Sequence, residues 1–178
     1  MQRLPPGSHG IPADVVARNQ RERLIAAMAE VCAERGYAQT SVAEVAKRAG
    51  VSSLTFYKQF AGKESCMLAA HRQLLGRFLE EIDDRVTEEE GSARAVVHTA
   101  LLLFAADAPS ARLLTIDVLA AGPEGVKRHD AMVAAFAERL GADWVRAAGA
   151  LALVGKRVVA GEADRLPELE DELVATLA

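Results

Sequence analysis

Apolar side chains return every three or four positions along nearly the whole chain, the period of an α-helix with one face turned to a core. Ile25, Met28 and Cys32 make such a stripe between Asp14, a residue type that caps helix N-termini, and Arg35, so a first helix is expected there. Met67, His71, Leu74, Leu75, Phe78 and Ile82 line one side of a longer segment from Lys63 to about Val86. Two short stripes lie between them: Val42, Val45, Ala46 and Ala49, then Phe56 and Phe60. Downstream, breakers at Gly91, Asp107, Pro109, Gly122, Pro123, Gly141 and Gly161 divide the periodic sequence into five more helices. These are expected over Ser92–Ala106, Ser110–Ala121, Glu124–Leu140, Asp143–Ala160 and Pro167–Leu177. The pattern predicts an all-α protein of about nine helices. Residues 1–12, rich in Pro and Gly, read as a flexible arm, and the acidic run Thr87–Glu90 with Gly91 reads as a loop.

The stretch from Thr40 to Leu68 holds the densest local signals. Ser41 and Glu44 have the spacing of a capping box, so a helix can begin at Ser41. Gly50 can stop it in the left-handed conformation, and Val51 can plug the corner that follows. Ser52 or Ser53 can cap the next helix, whose Phe56 and Phe60 share an inward face. Ser53, Thr55, Tyr57 and Lys58 then point elsewhere. Hydroxyls, a phenol and an ammonium on one short helix suit a nucleic-acid groove better than a core. The bland alternative is an ordinary helical hairpin with a solvated face, and spacing alone divides the two evenly.

The residues go further than the spacing. Thr40, Ser41, Val42, Val45, Ala46, Ala49, Gly50, Val51, Ser52, Thr55, Tyr57, Phe60, Lys63 and Glu64, with Arg35-Gly36-Tyr37 before them, resemble the TetR/AcrR family of bacterial transcriptional regulators over about residues 18–70. The resemblance implies a three-helix N-terminal bundle with a helix-turn-helix over 13–62 and a helical effector-binding and dimerisation domain over 63–178. The second helix of the motif would enter the major groove. Base-edge contacts are expected from Ser53, Leu54, Thr55 and Lys58, with Leu54 against a thymine methyl and Ser52 beside them. The family places Tyr57, Lys63 and either Thr40 or Ser41 on backbone phosphates. Lys63 stands where the N-terminus of a helix favours a phosphate. Arg18 and Arg21 can add phosphate or minor-groove contacts, or can be plain solvated surface.

Composition and charge sharpen this picture. Hydrophobic residues make up 51% of the 178 but aromatics only 4%, so the apolar content is Ala, Leu and Val, which suits packed helices. Residues 1–72 carry 10 Lys and Arg against 6 Asp and Glu, a net +4, and residues 73–178 carry 11 against 19, a net −8. A cationic head on an acidic body fits a protein that sets only one end on phosphate. No apolar run approaches the roughly 20 residues that span a bilayer, and the N-terminus has no apolar signal core, so a cytoplasmic protein is expected. Cys32 and Cys66 read as small buried hydrophobes, with a redox pair as the minority reading.

For the body, the resemblance implies a pocket for a small apolar or amphipathic effector among helices four to eight. Its walls would include Phe78, Leu101, Leu102, Phe104, Leu113, Ile116, Met132 and Phe136. His98, Arg112, Asp117 and Trp144 are the polar-tipped residues able to orient a ligand, though for each of them taken singly a structural role outweighs ligand contact. A homodimer on a near-palindromic operator is expected, joined through helices eight and nine. Ala148, Leu151, Gly155 and Val158 form one stripe after Trp144, and Leu166, Leu169, Leu173 and Leu177 another. Both stripes also suit helices facing their own core.

Catalysis has little support. The four histidines have no metal-ligating helical spacing, and there is no nucleophile elbow, Walker loop or dinucleotide fingerprint. No cofactor or metal is expected. The expectation is a ligand-responsive repressor that binds double-stranded DNA, with an activator using the same head, or a helical adaptor for another protein, as the alternatives.

Overall fold

The computed structural model describes residues 12–86 and 92–177. The expected arm, save Pro12, and the expected acidic loop lie outside the described residues. Within them the regular structure is helical throughout, in nine α-helices and three 3₁₀ turns. Helix α1 (Ala13–Arg35) begins one residue before the expected Asp14 cap. Pro12 holds the cap position, its carbonyl accepting from the Val15 and Val16 N–H groups at 3.1 and 3.2 Å. Asp14 instead sits in the first turn, where a carboxylate still favours the positive end of the helix. Gly36 ends α1 at φ 76°, a left-handed backbone that disfavours other residues, and a 3₁₀ turn over Tyr37–Gln39 follows.

Helix α2 (Val42–Ala49) has the capping box read from its sequence. The Glu44 N–H donates to Ser41 Oγ at 3.2 Å, and the Ser41 N–H donates back to Glu44 Oε2 at 3.1 Å. Gly50 closes the helix at φ 65°. Helix α3 (Ser53–Gln59) is capped by Ser52, whose Oγ accepts from the Thr55 N–H at 3.0 Å. Helix α4 (Lys63–Arg85) then runs out of this head into the body.

The body contains α5 (Ala93–Ala106), α6 (Ala108–Thr115), α7 (Gly122–Leu140), α8 (Trp144–Val159) and α9 (Glu170–Leu177). Two expected helices are shorter than their periodicity suggested. The segment expected over Ser110–Ala121 starts earlier, at an Asp107 cap, and stops at Thr115, before a 3₁₀ turn over Asp117–Ala121. Thr115 donates its hydroxyl back to the Ala111 carbonyl at 2.8 Å, a bond that competes with the helix ladder. In place of the start of the segment expected over Pro167–Leu177 there is a 3₁₀ turn over Ala163–Leu169, with Pro167 inside it, and α9 begins at Glu170.

Two glycines permit close packing in the body. A Cβ on Gly125 would run into the Val118 carbonyl, so α7 can lie on the second 3₁₀ turn. A Cβ on Gly155 would stand 2.7 Å from Ile116 Cδ1 and 3.1 Å from Thr115 Oγ1, so α8 can lie on the end of α6. The head joins the body by α4 and by α1, which packs against α2, α4 and α6 together. The aromatic centre of the body is Phe78, Phe104 and Phe136, with the Phe78 and Phe104 rings stacked 4.2 Å apart.

Candidate nucleic-acid interface and its link to the body

Helix α3 divides its side chains sharply. Phe56 and Phe60 are buried in the head, their rings 5.6 Å apart. Burying Phe56 is worth about 2–3 kcal/mol. On the other side Leu54 is 69% exposed and Tyr57 58%, and Ser53 and Lys58 are exposed beside them. A leucine held this far out of the core is available for an apolar contact with a partner. Thr55 is half-buried, its hydroxyl 3.0 Å from Ser52 Oγ, so the two hydroxyls lie together at the start of the helix.

The residues around α3 divide into free and occupied groups. Ser41 is exposed at the start of α2 and donates its hydroxyl to Glu44 at 2.8 Å. Of the pair Thr40 and Ser41, Thr40 has to be removed from the expected phosphate contacts. Its side chain is buried, donates to the Gly36 carbonyl at 3.0 Å and lies 3.4 Å from Cys32 Sγ. Lys63 is drawn inward. Its ammonium donates to the Tyr37 carbonyl at 2.9 Å and sits 4.3 Å from the centre of the Tyr37 ring. A phosphate contact by Lys63 therefore requires that ammonium to turn away from the Tyr37 carbonyl. Arg18 is exposed, whereas Arg21 is a strut: it donates to the Gln59 carbonyl at 2.9 Å and covers the Phe60 ring at 4.2 Å. Arg21 thus holds the end of α3 to α1. The sequence offered no signal for this, since its partner stands 38 positions away.

Both cysteines are buried free thiols. Burial pushes Cys32 up to about 11 and Cys66 up to about 12, which keeps both protonated and unreactive at neutral pH.

Arg112 and Asp117 occupy the seam between head and body. Arg112 Nη1 donates to the Ala33 carbonyl in the last turn of α1 at 2.9 Å. Its Nε stands 3.2 Å from Asp117 Oδ2, an ion pair without the alignment of a hydrogen bond. Asp117 is only 5% exposed, and that burial raises its pKa against the opposing pull of Arg112 and the Tyr37 backbone N–H. A Cβ on Gly36 would meet Arg112 Nη2 at 3.5 Å, an ordinary contact, so it is the φ of 76° rather than space that favours glycine there.

The other expected pocket residues are dispersed. Phe78 lines an open cleft of about 340 Å³ between α4, α5 and α6. Leu101 and Phe136 line a separate apolar void of about 30 Å³ walled by α5, α7, α8 and α9. Leu113 and Met132 are buried in the core, and Ile116 packs under Gly155. His98, Leu102 and Trp144 lie on the surface, where His98 Nδ1 is 2.7 Å from Glu170 Oε2.

The expected dimer stripes also need correction. In the single chain Leu151, Val158, Leu169 and Leu173 are buried, Gly155 faces Ile116, and Ala148 packs against the core. They hold α8 and α9 to their own body. The outer face of α8 carries a different series: Val145, which is 73% exposed, then Gly149, Ala152, Lys156 and Val159.

Comparison with known proteins agrees with this architecture. The profile of the bacterial regulatory proteins of the tetR family matches residues 24–70. The Fatty acid metabolism regulator protein of Bacillus subtilis is 36% identical over 67 residues, covering 38% of this chain and 34% of that protein. The HTH-type transcriptional regulator YvdT of the same organism is 32% identical over 69 residues, covering 39% of this chain and 36% of that protein. The matched segment thus spans about a third of these relatives' length. Fold similarity extends further. FadR from Bacillus subtilis, in a crystal structure with stearoyl-CoA, superposes with a TM-score of 0.72 at 21% identity, over 88% of this chain and 96% of that one. FadR from Bacillus halodurans gives 0.72 at 23% identity over the same shares. Residues 24–70 thus match the tetR family of bacterial regulatory proteins, and most of the chain shares its fold with FadR from Bacillus subtilis.

Proposed function

We propose that the protein is a homodimeric, ligand-responsive transcriptional repressor, with a DNA-binding head over 13–62 and an effector-binding and dimerisation body over 63–178. The observation that carries the reading is the outer face of α3: Ser53, Leu54, Tyr57 and Lys58 stand exposed on a cationic head, with Phe56 and Phe60 anchoring the helix beneath. In a major groove, Ser53, Leu54 and Lys58 would read base edges, while Tyr57, Ser41 and a released Lys63 would hold phosphates. Double-stranded DNA in the cytoplasm is then the partner.

Two heads are needed to read a near-palindromic operator, at half-sites about 34–36 Å apart or a multiple of that. The outer face of α8 suits the pairing, because Gly149 and Ala152 let two helices approach closely between Val145 and Val159. The named relative, a fatty acid metabolism regulator, and the stearoyl-CoA complex of a protein of the same fold favour an effector with a long apolar chain.

Transmission would run through α6. Its Ala111 and Leu114 wall the open cleft, and its Arg112 grips the last turn of α1. A ligand that wedges α6 outward would pull on the head and change the spacing of the two α3 helices. Such a ligand shifts the equilibrium by its differential affinity for the two states.

The test is binding of purified protein to DNA upstream of its own gene, across a salt series and against unrelated competitor DNA. Tight, competitor-resistant binding with a steep salt slope is expected. Binding equal to that of the competitor would overturn the reading.

A further inference from the structure

The 3₁₀ turn over Tyr37–Gln39, between α1 and α2, is held from two sides. From the body, the Asp117 carboxylate accepts the Tyr37 N–H while facing Arg112. From α4, the Lys63 ammonium donates to the Tyr37 carbonyl at 2.9 Å and to the Ala38 carbonyl at 3.4 Å. It also lies 4.3 Å from the centre of the Tyr37 ring.

The two holds differ in kind. Asp117 is buried and fixes the turn, whereas the grip on Lys63 can be given up without leaving a buried group unsatisfied. The Tyr37 carbonyl also accepts from the Thr40 N–H at 3.2 Å, so it keeps a partner when Lys63 departs. Ala38 is exposed, so water can take the place of the lysine at its carbonyl. Tyr37 offers the ammonium dipoles and a π face but no negative charge. A phosphate within reach therefore outcompetes it. The ring adds an attraction that shifts such an equilibrium roughly two- to fivefold.

Resting on the DNA-binding reading above, we propose that Tyr37 is a positioning residue that holds Lys63 back: its carbonyl and ring keep the ammonium against the head in the free protein and release it to a backbone phosphate of the operator. The firmness of this hold is then part of the operator affinity, since each binding event has to undo it. Asp117 belongs to the body, so the turn that holds the lysine is anchored outside the head.

The experiment measures affinity and salt slope on a duplex of the DNA upstream of the protein's own gene. The full chain is compared as wild type, Tyr37→Phe, Tyr37→Leu, Lys63→Gln and the double variant of the last two. Lys63→Gln is expected to make the salt slope shallower by about one, the mark of one phosphate contact. Tyr37→Leu is expected to tighten binding roughly two- to fivefold and to do nothing when Lys63 is already Gln. Tyr37→Phe keeps ring and carbonyl and is expected to match wild type. A tyrosine with a structural role alone would weaken binding by the same factor in both backgrounds. That result overturns the proposal, as does a slope unmoved by Lys63→Gln. Should Tyr37→Leu not fold, nuclear magnetic resonance of the wild type decides. The Lys63 ε-methylene protons are expected upfield in the free protein, shifted by the ring current of Tyr37, and near ordinary lysine values in the complex. An upfield shift that survives complex formation overturns the release. Wild-type protein that binds the duplex no better than unrelated DNA fails the regulator reading itself, before any variant is compared, and the role of Tyr37 falls with it.

Discussion

Helices α3 and α6 are nearly the same length, seven and eight residues, yet one is used on a single side and the other on two. Helix α3 buries Phe56 and Phe60 and leaves Leu54, Tyr57 and Lys58 uncovered. Helix α6 has Ala111 and Leu114 on the open cleft, Arg112 on α1 and Thr115 under α8. A one-sided helix separates stability from recognition, because its outer residues are largely uncovered, Tyr57 meeting its own chain edge-on at the Phe56 ring, 5.6 Å away. A two-sided helix joins them, because a shift of α6 would also move the grip of Arg112 on α1.

The contrast can be broken most strongly at Phe56. Phe56→Ala is expected to cost about 3–5 kcal/mol, read as a lower denaturant midpoint, since it empties a fully buried ring site under α3. The body has its own weak point at His71, buried in α4 without a hydrogen-bond partner among the described residues. Burial, with help from His129 and Arg128, lowers its pKa from 6.5 to about 4. Between those values the unfolded chain takes up a proton that the folded one refuses, so stability falls as pH drops from about 6.5 to 4. At about 1.4 kcal/mol per pKa unit the loss attributable to His71 is up to about 3 kcal/mol. Thermal melts of wild type and His71→Leu across this window should show the shallower slope in the variant, and equal slopes would refute the assignment.

At the seam, Asp117→Ala leaves the Arg112 guanidinium partly buried without its counter-charge. A fully buried pair would lose more, and with Arg112 a quarter exposed the expected cost is about 2–3 kcal/mol. The same variant should bind operator DNA yet respond weakly to effector, which a titration of DNA release would show. The smallest stability effect belongs to Tyr57→Ala, next to Phe56. Its melting should stay within about 0.5 kcal/mol of wild type while operator affinity falls roughly tenfold or more, as loss of a charge-assisted hydrogen bond implies. A destabilised Tyr57→Ala would mean that α3 is not one-sided.

The head was legible because its signals are local. Ser41 with Glu44, Gly50, and Ser52 with Thr55 each complete their geometry within four residues, so spacing alone identifies them. Thr40 and Arg21 were misread or left open for the opposite reason: what occupies Thr40 includes Cys32, and what occupies Arg21 is Gln59. In the body the difficulty was symmetry. Helix α8 carries two apolar series, and periodicity finds both without saying that Leu151, Gly155 and Val158 turn inward while Val145, Ala152 and Val159 turn out. Arg112 and Asp117 looked like ligand residues because polar side chains in an apolar domain need a partner. In the fold Arg112 reaches the end of α1, 79 positions away, and Asp117 faces Arg112.

Gly155 has a consequence for stoichiometry. The absent methyl lets Ile116 and Thr115 at the end of α6 press against α8, whose other side is the proposed junction between protomers. With a single helix thickness between a cleft wall and the symmetry axis, occupancy of one cleft would alter the neighbour's affinity. Ligand saturation of such a dimer would be cooperative, and a half-filled dimer would already have lost one head's alignment with the operator.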